Sequence, residues 1–148
     1  MNKGLLKSNK QYIPRFTEKY VGRYPIYIKS SWETKFAQWL DYNENVIEWS
    51  SESIMIRYQD PFEPTKYRRY FPDFYAKFKD GKSYIIEIKP LQDCKLPTKK
   101  SKASKKTLLI REHTYHINNA KFKAAKEYAK KMGMVFEVIT EKDLFRKK

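Results

Sequence analysis

Cysteine is nearly missing from this sequence. Cys94 stands alone among 148 residues, which excludes an intrachain disulfide and any cysteine-rich zinc cage. Histidine is almost as scarce. His113 and His116 lie at helical spacing, but no cysteine or acid cluster beside them completes a zinc site, so they read as surface or packing residues. No apolar run approaches the length of a membrane span, and the opening residues, with Leu5 and Leu6 as their apolar content, are too short for a secretory core. The expectation is a cytosolic chain with no membrane partner. Acidic residues are also few. Seventeen Asp and Glu face 32 Lys and Arg, leaving a net charge of +15 that favours a polyanionic partner. Nucleic acid fits better than an anionic membrane or an acidic protein, because aromatic residues, 16% of the chain, are interleaved with the charges. With four glycines and no base-reading motif, the expected DNA contact is of low sequence specificity.

What is present is enough apolar material for one core. Hydrophobic residues make up 41% of a chain of single-domain length, and no internal repeat divides it. Residues 1–29 form a basic, aromatic N-terminal arm with Lys3, Lys7, Lys10, Arg15, Lys19, Arg23 and Lys29 against Glu18. Two readings stand for it, a solvated arm or a strap over DNA or a protein partner, and both treat it as too polar to enter the core. Residues 30–148 form the folded domain. Ser30 and Glu33 have capping-box spacing, and Trp32, Phe36, Trp39 and Leu40 recur at helical intervals after them. Val46–Trp49 and Ile54–Tyr58 read as strands, and 59–66, with Pro61 and Pro64, as a loop. Residues 95–106 carry six lysines and no acid and read as a mobile loop; 107–117 are ambiguous. A second helix is expected from Asn118 or Asn119, with Phe122, Ala125, Ala129 and Met132 on one side and Gly133 ending it. Met134–Ile139 reads as a strand beside the central hairpin, and Thr140 with Asp143 as a cap for a final turn. The expected fold class is α/β, a central mixed β-sheet flanked by helices.

The most informative stretch is Tyr70–Lys89. Phe71–Phe78 and Lys82–Lys89 have strand character, with Lys79-Asp80-Gly81 between them. A three-residue hairpin loop ending in left-handed Gly81 pairs Phe78 with Lys82 and sets Asp73 opposite Glu87. Asp73, Glu87 and Lys89 then share one face, while Phe74, Ala76, Phe78, Tyr84, Ile86 and Ile88 share the other. A two-residue Asp-Gly turn would instead send Asp73 and Glu87 to opposite faces. Pro72 is awkward within a central strand and suggests a strand start or an edge. Two carboxylates on adjacent strands suit a hard divalent cation, which polarises a phosphodiester oxygen and helps ionise water. A lysine two residues after the second carboxylate reaches the same face, where it can act on the water or on charge developing at phosphorus.

The pattern Pro72-Asp73 … Glu87-Ile88-Lys89 resembles the signature of the PD-(D/E)XK nucleases. Glu33, in Ser-Ser-Trp-Glu-Thr-Lys-Phe, resembles the helix glutamate that many of those enzymes add to the metal site. Tyr24-Pro25-Ile26, Ser30–Leu40, Trp49-Ser50-Ser51-Glu52, Tyr70-Phe71-Pro72-Asp73-Phe74 and Glu87-Ile88-Lys89-Pro90 resemble segments of the head-completion proteins of T-even-type tailed phages, over most of the chain. The chain is also similar to the TnsA endonuclease of transposons, in which a glutamine replaces Glu87. The resemblance implies a PD-(D/E)XK restriction-endonuclease-like core and a magnesium site, with manganese as a possible substitute. Glu33, Asp73 and Glu87 would hold the metal, the Ile88 carbonyl would be a further ligand, and Lys89 would complete the catalytic set. It further implies hydrolysis of DNA by in-line attack of water during phage head completion. Partners would be DNA and portal, head or neck proteins, in the host cytoplasm during assembly or in the virion head.

Several rivals stand beside these roles. Glu33 could simply complete the capping box, and Asp73 could pair with Arg68 or Arg69. Lys99, Lys100, Lys102, Lys105 and Lys106 could clamp DNA or merely face water, and Lys121 and Lys123 could touch the substrate phosphate. The whole chain could also be a non-catalytic head-completion protein that binds DNA and the portal on a nuclease fold, or a stand-alone junction-resolving or transposition nuclease.

Overall fold

The computed structural model of the chain describes residues 7–98 and 102–146. Its centre is the hairpin of β6 (Phe74–Phe78) and β7 (Ser83–Ile88), joined by Lys79-Asp80-Gly81. Gly81 sits at φ 87° and its N–H donates to the Phe78 carbonyl, while the Phe78 N–H donates to Lys82, as a three-residue loop requires. The ladder runs Lys77↔Ser83 through Phe74↔Ile86, the register expected from the sequence. On the outer side of β6 lies antiparallel β3 (Val46–Ser51), and on the outer side of β7 lies parallel β8 (Val135–Ile139), so the sheet order is β3-β6-β7-β8 and the sheet is mixed.

Both faces of this sheet are covered. Phe74, Ala76, Ile86 and Ile88 pack with Trp32, Phe36, Ala37 and Leu40 of α1 (Ser31–Tyr42), where the Phe36 and Phe74 rings lie 5.4 Å apart. Ile85, on the opposite face, packs with Ala125 and Ala129 of α2 (Lys105–Lys131) and with Phe136 of β8. Ile56, Tyr58 and Tyr70 join that second cluster from an antiparallel hairpin, β4 (Ile56–Gln59) with β5 (Tyr67–Tyr70). A short α3 (Glu141–Leu144) ends the described chain, with Thr140 and Asp143 forming the expected capping box. No helix among the described residues is long and apolar enough to cross a membrane.

The first correction concerns the leader. β1 (Lys7–Tyr12) pairs with β2 (Ile26–Ser30), and Tyr20, Ile26 and Ile28 are buried in the α1-side core. The boundary at residue 30 therefore does not separate a solvated arm from a domain. β2 alternates buried and exposed residues from Ile26 to Ser30, the pattern of a half-buried strand, and its one charge, Lys29, points outward. Asp41 ties the leader down, accepting from the Tyr12 hydroxyl at 2.8 Å and the Arg15 and Phe16 N–H groups at 2.7 and 3.0 Å.

The second correction concerns residues 95–117. Ser104 caps a helix that starts at Lys105, so Lys105 and Lys106 are helical and not part of a loop, while 99–101 of the expected basic loop lie outside the described residues. No glycine or proline interrupts 105–132, and Lys, Leu, Arg and Glu favour helix. Apolar periodicity is weak in the first half because that half has little to pack against; Leu109 and Ile110 are exposed, and burial in α2 begins at Asn118. The helix ends as expected before Gly133, at φ 70°, but Met132 lies exposed rather than on the packed side. The strand β5, short and mostly exposed, has no counterpart in the sequence reading.

Candidate active site

Four elements bring acids and lysines to one end of the sheet. Pro72 and Asp73 lie just before β6, consistent with Pro72 at a strand start, and one step beyond the Phe74↔Ile86 pair Asp73 faces Glu87. The Asp73 carboxylate accepts the Ile88 N–H at 2.8 Å, a direct link between the two strands. It makes no ion pair with Arg68, which is held instead by Asp60 at 2.6 Å and Glu63 at 2.7 Å. The Lys89 ammonium stands 3.6 Å from the Glu87 carboxylate, on the same face. The Ile88 side chain turns the other way, into the α1-side core, so only its backbone is near the carboxylates.

Burial governs the electrostatics. Asp73 is 9% exposed and Glu87 is 6% exposed. Asp73 is pushed well above the usual carboxylate range, first by burial and then by repulsion from Glu87 and Glu33, with the Ile88 N–H and Lys89 pulling it down. Glu87 is raised by burial, against Lys89, the Tyr70 hydroxyl and Lys121. Glu33 enters from the first turn of α1. Its N–H donates to the Ser30 hydroxyl at 3.1 Å, and that hydroxyl donates to its carboxylate at 3.2 Å. Burial raises Glu33 too, as do Glu52 and Glu87. Glu33 thus takes part in the cap and also lies within the field of the other acids.

Three further neighbours complete the site, of which Tyr70 and Glu52 have no role that spacing in the sequence gives. Tyr70, buried at the end of β5, donates to Glu87 at 2.8 Å and orients its carboxylate. Lys121 reaches in from α2, with its ammonium 5.5 Å from the Tyr70 ring centre; burial and Lys89 lower its pKa while Glu87 and Asp73 raise it. It was singled out from sequence as a phosphate contact, though not as a neighbour of this tyrosine. Glu52 directly follows β3 in the left-handed region at φ 48°; its N–H donates to the Asp73 carbonyl and its carboxylate pairs with Lys29 at 3.0 Å. Non-glycine residues held there are strained, and such strain gathers at functional sites.

Residues 43–141 match the family of TnsA-like endonuclease N-terminal domains. The chain belongs to the TnsA-like endonuclease family. Over 138 residues it is 37% identical to the head completion nuclease of Enterobacteria phage T4, an alignment covering 90% of this chain and 91% of that protein. No solved structure matches the chain. The family's fold is the PD-(D/E)XK fold, in agreement with the mixed sheet and its flanking helices. The TnsA-like match spans Asp73, Glu87, Lys89 and Lys121, and Glu33 precedes it.

The donor set of this TnsA-like chain suits a hard divalent cation. Two carboxylates are buried together, and Lys89 pairs with Glu87 at 3.6 Å, while Asp73 has no ion-pair partner within 4 Å among the described residues. Magnesium uses few protein oxygens and keeps several waters, so this pair with a backbone carbonyl would suffice. No group of three or more His, Cys, Asp or Glu among the described residues forms a ready cage, so Glu33 does not close one with the strand pair. The basic residues singled out from sequence are dispersed. Lys102, before α2, and Lys105 and Lys106, in its first turn, are exposed, and Lys99 and Lys100 lie outside the described residues. Lys123 lines a cavity of about 520 Å³ against β4, apart from Lys121. His113 stacks on Phe62 at 4.3 Å, a packing histidine as expected.

Proposed function

We propose that the chain is a divalent-metal-dependent DNA endonuclease acting in phage head completion. The observation that carries this reading is the register of the β6–β7 hairpin, which sets Asp73 opposite Glu87 with Lys89 on the same face. Membership of an endonuclease family and the likeness to a head completion nuclease support it. Asp73 and Glu87, with the Ile88 carbonyl, would hold magnesium or manganese, and Glu33 would add its charge from the α1 cap beside them. Bound there, the cation would polarise a phosphodiester oxygen and offset charge on the leaving oxygen. Tyr70 fixes the Glu87 carboxylate through its hydroxyl, and the Ile88 N–H fixes that of Asp73. As an ammonium, Lys89 orients the attacking water and offsets charge developing at phosphorus, and Lys121 adds a second positive charge facing the scissile phosphate. The net charge of +15 draws the polyanion in, through backbone rather than base contacts. The setting would be the host cytoplasm during assembly, with a portal, head or neck protein as partner and the virion head as a further location.

The deciding experiment is cleavage of supercoiled and linear DNA with magnesium, manganese or chelator, comparing wild type with Asp73→Ala, Glu87→Ala and Lys89→Ala while DNA binding is followed in parallel. The expected result is metal-dependent cutting that each substitution abolishes with binding retained. Tight binding without any cutting by the wild type would replace this reading with a non-catalytic role in closing the packaged head.

A further inference from the structure

The β4–β5 hairpin carries arginines of two kinds. Arg68 is neutralised, held by Asp60 and Glu63. Arg57 and Arg69 sit directly opposite one another across the two strands, both exposed, and neither has an ion-pair partner within 4 Å among the described residues. Like charges facing across a ladder destabilise it, their Cβ atoms being about 5 Å apart. Side chains alternate along strands, so the face bearing Arg57 and Arg69 also bears the registered pair Gln59 and Tyr67, with Tyr67 67% exposed. That face holds donors, two positive charges and a ring, and no acid. The flanking cavity adds Lys123 to Arg57 and Tyr67; its acids are Asp60, already held by Arg68, and Glu127. The opposite face of the same hairpin carries Tyr70, one residue from Arg69, whose hydroxyl binds Glu87.

We propose that this outer hairpin face is a phosphate-binding track for DNA, with Arg57 and Arg69 each holding a backbone phosphate and the Tyr67 hydroxyl donating beside them, while the Gln59 amide donates to the Pro64 carbonyl at 2.7 Å. The inference rests on the DNA-acting reading above and adds to it the surface that seats the strand. Repulsion between two unpaired arginines is relieved when a phosphate takes its place between or upon them, and arginine's fork suits phosphate oxygens. The track is contributed by the fold and not by the lysine-rich run at 95–106.

The test is duplex-DNA binding by fluorescence anisotropy without metal, from 50 to 200 mM salt, for wild type and Arg57→Gln/Arg69→Gln. Each phosphate contact contributes about 0.9 to the slope of log K against log salt, so the double variant is expected to lose about 1.8 of slope, and each single variant about half. Lys130→Gln/Lys131→Gln removes the same charge from the exposed end of α2 and is expected to change the slope far less. Melting temperature is expected to hold or rise in the hairpin variants, since a repulsion is removed. An unchanged slope, or one equal to the α2 control, would overturn the track and leave the face to an acidic protein or to solvent. Wild-type binding without cleavage would overturn the nuclease reading while leaving the track standing. A wild type that binds no DNA would overturn both.

Discussion

Asp73 and Glu87 are carboxyl groups placed where water is scarce, and Glu87 makes Asp73 harder to ionise. Asp73→Asn separates the chemistry from the fold. The amide oxygen can still accept the Ile88 N–H, but the negative charge is gone. Cleavage should fall by more than about 100-fold, the low end of what losing one preorganised electrostatic contact costs. Stability of the metal-free protein at neutral pH should hold or increase, which thermal melts would show. The same residues set a pH dependence. The pKa values of Asp73, Glu87 and Glu33 are raised on folding, so through that window the native state binds more protons than the unfolded chain. Metal-free stability should therefore fall as pH rises from the unfolded carboxylate range through the raised folded values. Urea melts at pH 5 and pH 8 should show this term with chelator, a smaller one with magnesium, and a shallower one in Asp73→Asn. A steeper fall in Asp73→Asn would show that these carboxylates are not the source.

The β6–β7 hairpin positions the site, and its register is specified twice. Ile86 and Ile88 must face α1, and Ile85 must face α2, so a slip of one residue would expose apolar side chains on both sides. The loop agrees with that choice because Gly81 occupies a left-handed conformation. Gly81→Ala should cost about 1 kcal/mol through its backbone alone, with cleavage at 25 °C little changed, since both faces still hold the register. A large loss of cutting in a folded Gly81→Ala protein would show that the loop, rather than the two packed faces, sets the alignment of Asp73 and Glu87. This hairpin was legible because turn chemistry and period-two burial point the same way, and α1 was legible because the Ser30 cap precedes an apolar stripe. The first half of α2 was not, since a helix with little to pack against shows no apolar face. Tyr70 and Glu52 were hidden for another reason: their roles come from a tertiary hydrogen bond and a backbone conformation, and neither leaves a spacing in the sequence.

At the scale of the whole molecule, the leader joins a basic surface to the core. Its composition suggests a solvated arm or a strap, yet Tyr20, Ile26 and Ile28 turn inward while Ile13 and Val21 stay exposed. Lys19 shows how a charge can serve the fold: its ammonium donates to the carbonyls of Leu40, Asp41 and Asn43 at 2.9, 2.7 and 2.8 Å, at the C-terminal end of α1. That places a positive charge where the helix dipole is negative and satisfies carbonyls left open by the helix end. Lys19→Met keeps much of the stem but removes these bonds, and should cost about 2 kcal/mol, within the range for hydrogen bonds to a charged group. Deleting residues 1–29 goes further, because it removes Ile26 and Ile28 and leaves their cover on α1 and Trp49 open to water. Each buried isoleucine alone is worth about 1.5–3 kcal/mol, a large share of a small domain's stability. The truncated chain should lose its cooperative unfolding transition, and Lys19→Met should keep one at a lower urea midpoint. A truncated protein that melts cooperatively near the wild-type midpoint would return the leader to the status of a detachable arm.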